Sequence, residues 1–227
     1  DTYAPNGVPT FPGGSTYPLS PHPSSRTPAD EELPARVLSA VEQSASDIEP
    51  TLLRAYQSLV GALMYAATQT RPDIAFAVGY LARAMGRPTD ELYADALQVL
   101  YYLDRHKDVG LRYAPSSAPL AGMSDSDWAV VKSTSGYVFF LCQAAIAWVA
   151  KKQASIALSS TEAEIMAASI AALAAVFLRG LLKELDLLQK NPTVIKMDNQ
   201  GAIALSKNYL SNSRTKHIER RHLKIRE

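Results

Sequence analysis

Apolar positions recur at three- and four-residue spacing along residues 51–113, the period of helices with one buried face. Leu59, Leu63, Ala66 and Ala67 line such a face before Arg71-Pro72-Asp73 interrupts it. Ile74 to Met85 resumes the pattern until the stop signal Gly86-Arg87-Pro88. Thr89 or Asp90 can cap a third helix carrying Leu92, Ala96, Val99, Leu100 and Leu103 on one side. From about Pro119 the texture changes to short β-branched and aromatic runs. Leu120 to Met123 leads into a first strand, and Gly136 to Leu141 reads as a second. Ala145–Val149 and Ser155–Leu158 read as two more. A long helix is predicted from Thr161 to Leu188, with Ile165, Ala168, Ala172, Val176, Leu182 and Leu185 on its buried side. Thr193–Met197 reads as a buried strand, and Gln200–Lys207 as a short helix. The order β-β-β-α-β-α predicts an α/β fold: an antiparallel meander, then a crossover helix returning to a parallel strand.

The ends of the chain differ from its middle. Nine of the fourteen prolines lie in residues 1–50, so this stretch is expected to be a flexible lead-in, with a short acidic helix at Glu31–Gln43. The helical segment then occupies 51–115 and the α/β domain 116–227. Over all 227 residues, 23 basic side chains nearly balance 22 acidic ones, so net charge by itself predicts no partner. The single cysteine, Cys142, rules out an internal disulfide framework and a multi-cysteine zinc site. Val138 to Ala150 reads as the longest nearly apolar run, and it falls short of the ~20 residues a bilayer span needs. With no secretory signal in Asp1 to Gly14, a soluble, intracellular protein with no membrane partner is expected.

Three acidic residues fall where predicted elements end or begin. Asp125 closes the first strand, Glu164 lies in the first turns of the long helix, and Asp198 follows the last strand. Ligand sites of open sheets gather beyond strand ends. Carboxylates meeting there repel one another unless a divalent cation sits between them, and hard oxygen donors suit Mg²⁺ or Mn²⁺. Plainer roles stay open. Asp125 and Asp127 fit a solvated Ser-rich turn. Ser159-Ser160-Thr161-Glu162 fits a capping box, which accounts for Glu162 without chemistry. Glu164 lies roughly 200° further around the helix and faces elsewhere. Asp198 serves equally well as a cap for Gln200–Lys207.

Longer words in the chain narrow the choice. Ser124-Asp125-Ser126-Asp127-Trp128-Ala129, Lys132-Ser133-Thr134-Ser135-Gly136-Tyr137-Val138-Phe139, Ala157-Leu158-Ser159-Ser160-Thr161-Glu162-Ala163-Glu164, Asp198-Asn199-Gln200 and Arg214-Thr215-Lys216-His217-Ile218 occur in that order. Together they resemble the ribonuclease H domain of Ty1/copia-type retrotransposon polyproteins. Upstream, Tyr56 to Tyr65 and Thr70-Arg71-Pro72-Asp73-Ile74-Ala75 resemble the segment joining reverse transcriptase to that domain. The resemblance spans roughly residues 50–227. It implies a ribonuclease H-like mixed sheet and metal-dependent cleavage of the RNA strand of RNA–DNA hybrids during reverse transcription. By motif position, Asp125, Glu164 and Asp198 resemble three members of an acidic quartet that binds two Mg²⁺ ions, with Mn²⁺ as a substitute. Such paired metals activate a water and neutralise the leaving oxygen, so no side-chain nucleophile is required.

The resemblance also implies partners and departures. The reverse transcriptase polymerase core of the same polyprotein is the expected protein partner, in the cytoplasm, a virus-like particle or the nucleus. Arg214, Lys216, Arg220, Arg221, Lys224 and Arg226 outnumber Glu219 and Glu227 in residues 211–227, a basic stretch fit to hold a phosphodiester backbone or simply a solvated helix. Ser135, Asn199, Arg214, Lys216 and His217 are the candidate substrate contacts. Trp128 and Trp148 are expected in the core. In the family a further strand and a helix bearing the fourth carboxylate follow the Arg-Thr-Lys-His-Ile segment, and this chain stops at Glu227. The loop between Trp128 and Lys132 is also shorter than the family's. The alternative expectation is therefore a catalytically inactive, truncated retroelement remnant that at most binds nucleic acid.

Overall fold

A computed structural model of the chain describes residues 27–42, 48–128 and 132–207. These residues divide into two compact units: the first takes in the chain up to Ala67 and Tyr80–Val109, the second Thr68–Gly79 and the residues from Gly110 on.

The first unit is helical. It contains α1 (Leu33–Glu42), most of α2 (Pro50–Gln69) and α4 (Asp90–Arg105). Asp30 starts α1 by accepting the backbone N–H groups of Glu32 and Leu33. The buried stripe of α2 is Tyr56, Val60, Leu63 and Ala67, so Leu63 and Ala67 lie on the expected face while Leu59 and Ala66 flank it. The Tyr56 hydroxyl donates to the Leu81 carbonyl at 2.8 Å, which satisfies its polar end inside the core. Thr89 caps α4 through its hydroxyl, and Leu92, Ala96 and Val99 are buried as expected, whereas Leu100 is exposed. Arg36 on α1 grips Asp95 on α4 through two hydrogen bonds of 2.9 and 2.7 Å.

The break at Arg71-Pro72-Asp73 has a local cause. Proline cannot continue the α2 hydrogen-bond ladder, and Arg71 before it adopts φ −124°, ψ 74°. A single 3₁₀ turn, Pro72–Ile74, then opens α3 (Ala75–Leu81).

The second unit holds β1 (Ala121–Asp127), β2 (Thr134–Leu141), β3 (Ala144–Lys152), α5 (Ser160–Glu184), β4 (Val194–Lys196) and α6 (Gln200–Lys207). The sheet order is β3-β2-β1-β4; β1, β2 and β3 pair antiparallel and β4 pairs parallel to β1. Three antiparallel strands, a crossover helix, a parallel strand and a closing helix are the ribonuclease H-like arrangement that the motifs imply. Cys142 and Gln143 join β2 to β3 with positive φ at both positions, 51° and 68°, the sign that the tightest hairpin turns demand. The core between sheet and helix is Leu120, Phe139, Ala171, Ala175, Leu178 and Leu182. Phe139 lies directly over the backbone of Gly122, where an added Cβ would stand 2.5 Å from the ring. Gly122→Ala is therefore expected to lower stability by about 1–3 kcal/mol through overpacking, read as a shift of the urea midpoint; a shift near zero would contradict this packing.

Several expectations need correction. Ser155–Leu158 is not a strand: the Leu158 N–H goes to the Glu162 carboxylate at 2.7 Å and Ala157 packs with Ala163 and Met166, so the segment is the lead-in to α5. The helix itself ends at Glu184 instead of Leu188. Asp186 takes φ 59°, its N–H bonds the Lys183 carbonyl, and the Leu187 N–H bonds that of Leu182, which closes the helix as a Schellman motif. Ile165, Ala168 and Leu182 are buried as expected, together with Ala171, Ala175 and Leu178, whereas Val176 is 70% exposed and Leu185 also faces outward. Small alanines let the helix approach the sheet, so bulk along the helix misreports its inner face. Among the described residues β4 is a three-residue strand flanked by β1 alone, and Val194 is 62% exposed, not buried as expected. Trp128 is 58% exposed, beyond the last paired residue of β1, with its indole N–H toward the Ala157 carbonyl. The longest apolar run lies in α5, which is long and apolar enough to cross a membrane by length and composition; half of that stretch is buried within the protein.

Candidate metal centre

The first turns of α5 are buried on all sides, from Glu162 through Ser169. Ser159 caps the helix by accepting the Glu162 N–H at 3.1 Å, and Glu162 answers through the Leu158 N–H, one residue before the usual capping-box partner. Glu162 is thereby used in starting the helix.

Glu164 has a different environment. It is 5% exposed, and its Oε1 accepts both the backbone N–H and the hydroxyl of Ser126 on β1, at 3.1 and 3.0 Å. Its Oε2 is buried and accepts no hydrogen bond among the described residues. Burial pushes its pKa up, the Ser126 bonds pull it down, and the charges of Asp125 and Asp198 push it up again; the net direction is upward.

Asp125 lies on β1 one residue before Ser126, at an exposed position. Asp198 follows β4 and is also exposed. It is free of the capping role left open for it, because Asn199 takes that role: Asn199 Oδ1 accepts the Ala202 N–H at 2.9 Å. One carboxylate oxygen from each of Asp125, Glu164 and Asp198 lies within 4.8 Å of the other two. Parallel pairing of β1 with β4 and the seating of α5 on the sheet bring them together. A buried carboxylate oxygen without a donor, beside two more negative charges, is costly in an empty protein. A hard divalent cation removes both costs, and carboxylate oxygens are the kind of donor such ions prefer. The residues present fit a divalent metal.

The candidate substrate contacts fare differently. Ser135 is buried, and its hydroxyl accepts from Gln153 Nε2 at 2.9 Å, so it faces the interior and not a ligand. Asn199 is committed through Oδ1 to the α6 cap. Arg214, Lys216 and His217 lie outside the described residues. Asp127 accepts from the Thr134 hydroxyl at 3.2 Å and tightens the β1–β2 connection. Ser126 was not singled out from the sequence, although its place between two aspartates on an alternating strand turns it toward α5.

No family model matches the chain. It is 42% identical over 176 residues to the retrovirus-related Pol polyprotein from transposon TNT 1-94 of Nicotiana tabacum, which covers 76% of this chain and 13% of that protein. Against the retrovirus-related Pol polyprotein from transposon RE2 of Arabidopsis thaliana it is 38% identical over 168 residues, 72% of this chain and 12% of the relative. It is also 44% identical over 128 residues to the secreted RxLR effector protein 161 of Plasmopara viticola, covering 54% of this chain and 90% of that one. A foamy viral protease–reverse transcriptase solved with an RNA/DNA hybrid is a loose structural match, with a TM-score of 0.43 and 14% identity over 87% of this chain and 25% of that chain. The chain thus spans a small part, 13% and 12%, of the two transposon polyproteins. By this likeness in sequence, the chain is homologous to part of the retrovirus-related Pol polyproteins of copia-type transposons.

Proposed function

We propose that the second unit is a ribonuclease H that hydrolyses the RNA strand of RNA–DNA hybrids made during reverse transcription. The reading is carried by the meeting of Asp125, Glu164 and Asp198 within 4.8 Å, with a buried Glu164 oxygen left without a donor. Ser126 holds one oxygen of Glu164 and leaves the other for a cation. Asp125 and Asp198, both exposed, complete the donor set on the side open to a ligand. Without a cation the three carboxylates repel a phosphodiester; neutralised, they admit one. When bound, Mg²⁺ or Mn²⁺ supplies Lewis acidity and a more acidic water at the scissile phosphate. The basic residues of 211–227 are the counterpart that holds the nucleic-acid backbone. The polymerase core of the same polyprotein is the natural partner, since it makes the hybrid.

The test is cleavage of labelled hybrid by the full chain. Cutting of the RNA strand is expected with Mg²⁺ and none with chelator, none on duplex DNA, and none above the background set by Asp198→Asn. Cutting that survives chelation, or that ignores the nature of the duplex, would refute the reading.

A further inference from the structure

Gln153 supplies no donor to the site, yet it is only 3% exposed and its amide joins α5, which carries Glu164, to β2, the strand paired with β1. Gln153 follows the last residue of β3. Its backbone N–H donates to the Ser133 carbonyl at 2.8 Å, and its Nε2 donates to the Ser135 hydroxyl at 2.9 Å and to the Ala163 carbonyl at 3.0 Å. The orientation of the amide is settled by Ala163: turned over, it would set its oxygen against a carbonyl oxygen.

These bonds close a ring. Ser135 is the register partner of Ser126 across β1 and β2. Ser126 holds Glu164, Glu164 is peptide-bonded to Ala163, and Ala163 returns through Gln153 to Ser135. We infer that Gln153 is a positioning residue for the candidate metal centre, acting through Ala163 to fix where the free oxygen of Glu164 points. A side chain that only filled this space would do better apolar, because Gln153 Oε1 is buried without a donor among the described residues. Keeping an amide here has a use when one of its N–H bonds holds the turn that carries Glu164 and the other ties that turn to β2. Groups of this kind, one step removed from a metal ligand, commonly change metal affinity by 10–100-fold when lost.

This inference rests on the metal reading of the site, and the experiment separates the two. Mn²⁺ binding to the full chain is followed by paramagnetic resonance of the free ion, beside thermal melting without metal. Gln153→Leu is expected to weaken Mn²⁺ binding by about tenfold or more while the protein remains folded, and excess Mn²⁺ is expected to restore hybrid cleavage. Leu182→Ala, at the far end of α5, is expected to melt earlier and bind Mn²⁺ as the parent does. If Gln153→Leu does not fold, Ser135→Ala, which removes one end of the link, is expected to weaken binding by a few-fold. Unchanged affinity in the folded Gln153 or Ser135 variant overturns the positioning role alone, as does an equal loss in Leu182→Ala. A parent protein that takes up no Mn²⁺ overturns the metal reading, and this inference with it.

Discussion

Glu164→Gln is expected to abolish Mg²⁺-dependent hybrid cleavage, on the order of a thousandfold or more, and at the same time to raise the melting temperature of the metal-free protein. Both effects come from one buried oxygen. A metal that neutralises charge at a reacting phosphate contributes several kcal/mol, and about 4 kcal/mol is a thousandfold in rate. Without metal, the ionised carboxylate is buried beside Asp125 and Asp198 with one oxygen unserved, and an uncharged amide removes that strain. The sign with pH follows. The folded pKa of Glu164 is raised, so its charge costs stability above the folded value, and the cost fades as pH falls through that value. Metal binding runs the other way: protons displace the cation over the same range, so stabilisation by Mn²⁺ should fade at a higher pH than an ordinary glutamate would give. Melting curves with and without Mn²⁺, from neutral pH down into the acid range, check this. A Glu164→Gln protein that melts lower than the parent without metal would show that the carboxylate has a donor after all.

Phe139→Ala is expected to be the most damaging core change, about 3–5 kcal/mol. Phe139 sits on β2 beneath α5, fully buried among Leu120, Ala171, Ala175, Leu178 and Leu182. The α5 residues facing it include two alanines, whose side chains are too short to fill the hole. Both tryptophans, Trp128 and Trp148, belong to the second unit, so their fluorescence during urea unfolding reports it directly. A loss below about 1 kcal/mol would mean that helix and sheet close over the gap.

How far the chain could be read beforehand depended on how local each cause was. The β-β-β-α-β-α order was legible because its signals are short-range: β-branched runs, the Ser-Ser-Thr-Glu start of α5 and the apolar period after it. The face of α5 was legible only in part: Ile165, Ala168 and Leu182 are buried, but alanines fill much of the inner stripe while Val176 and Phe177 point outward. Its end was missed because Asp186, not a glycine, adopts the left-handed conformation. Among the candidate contacts, Ser135 looked like a polar residue available to a ligand, and its commitment to Gln153 spans eighteen residues of chain. The support of Glu164 by Ser126 spans thirty-eight. Bonds of that reach leave no periodic trace. The three carboxylates could be picked out only through the longer words around them, since spacing left a solvated turn open for Asp125 and a helix cap open for Asp198.

The donors of the metal centre come from β1, α5 and the segment after β4, with no two on the same element. Inheritance of the site is consequently all or nothing. A shifted reading frame, or a junction with an unrelated gene, anywhere between the codons of Asp125 and Asp198 parts the trio, and a fragment carrying one or two of the three carboxylates lacks the complete donor set.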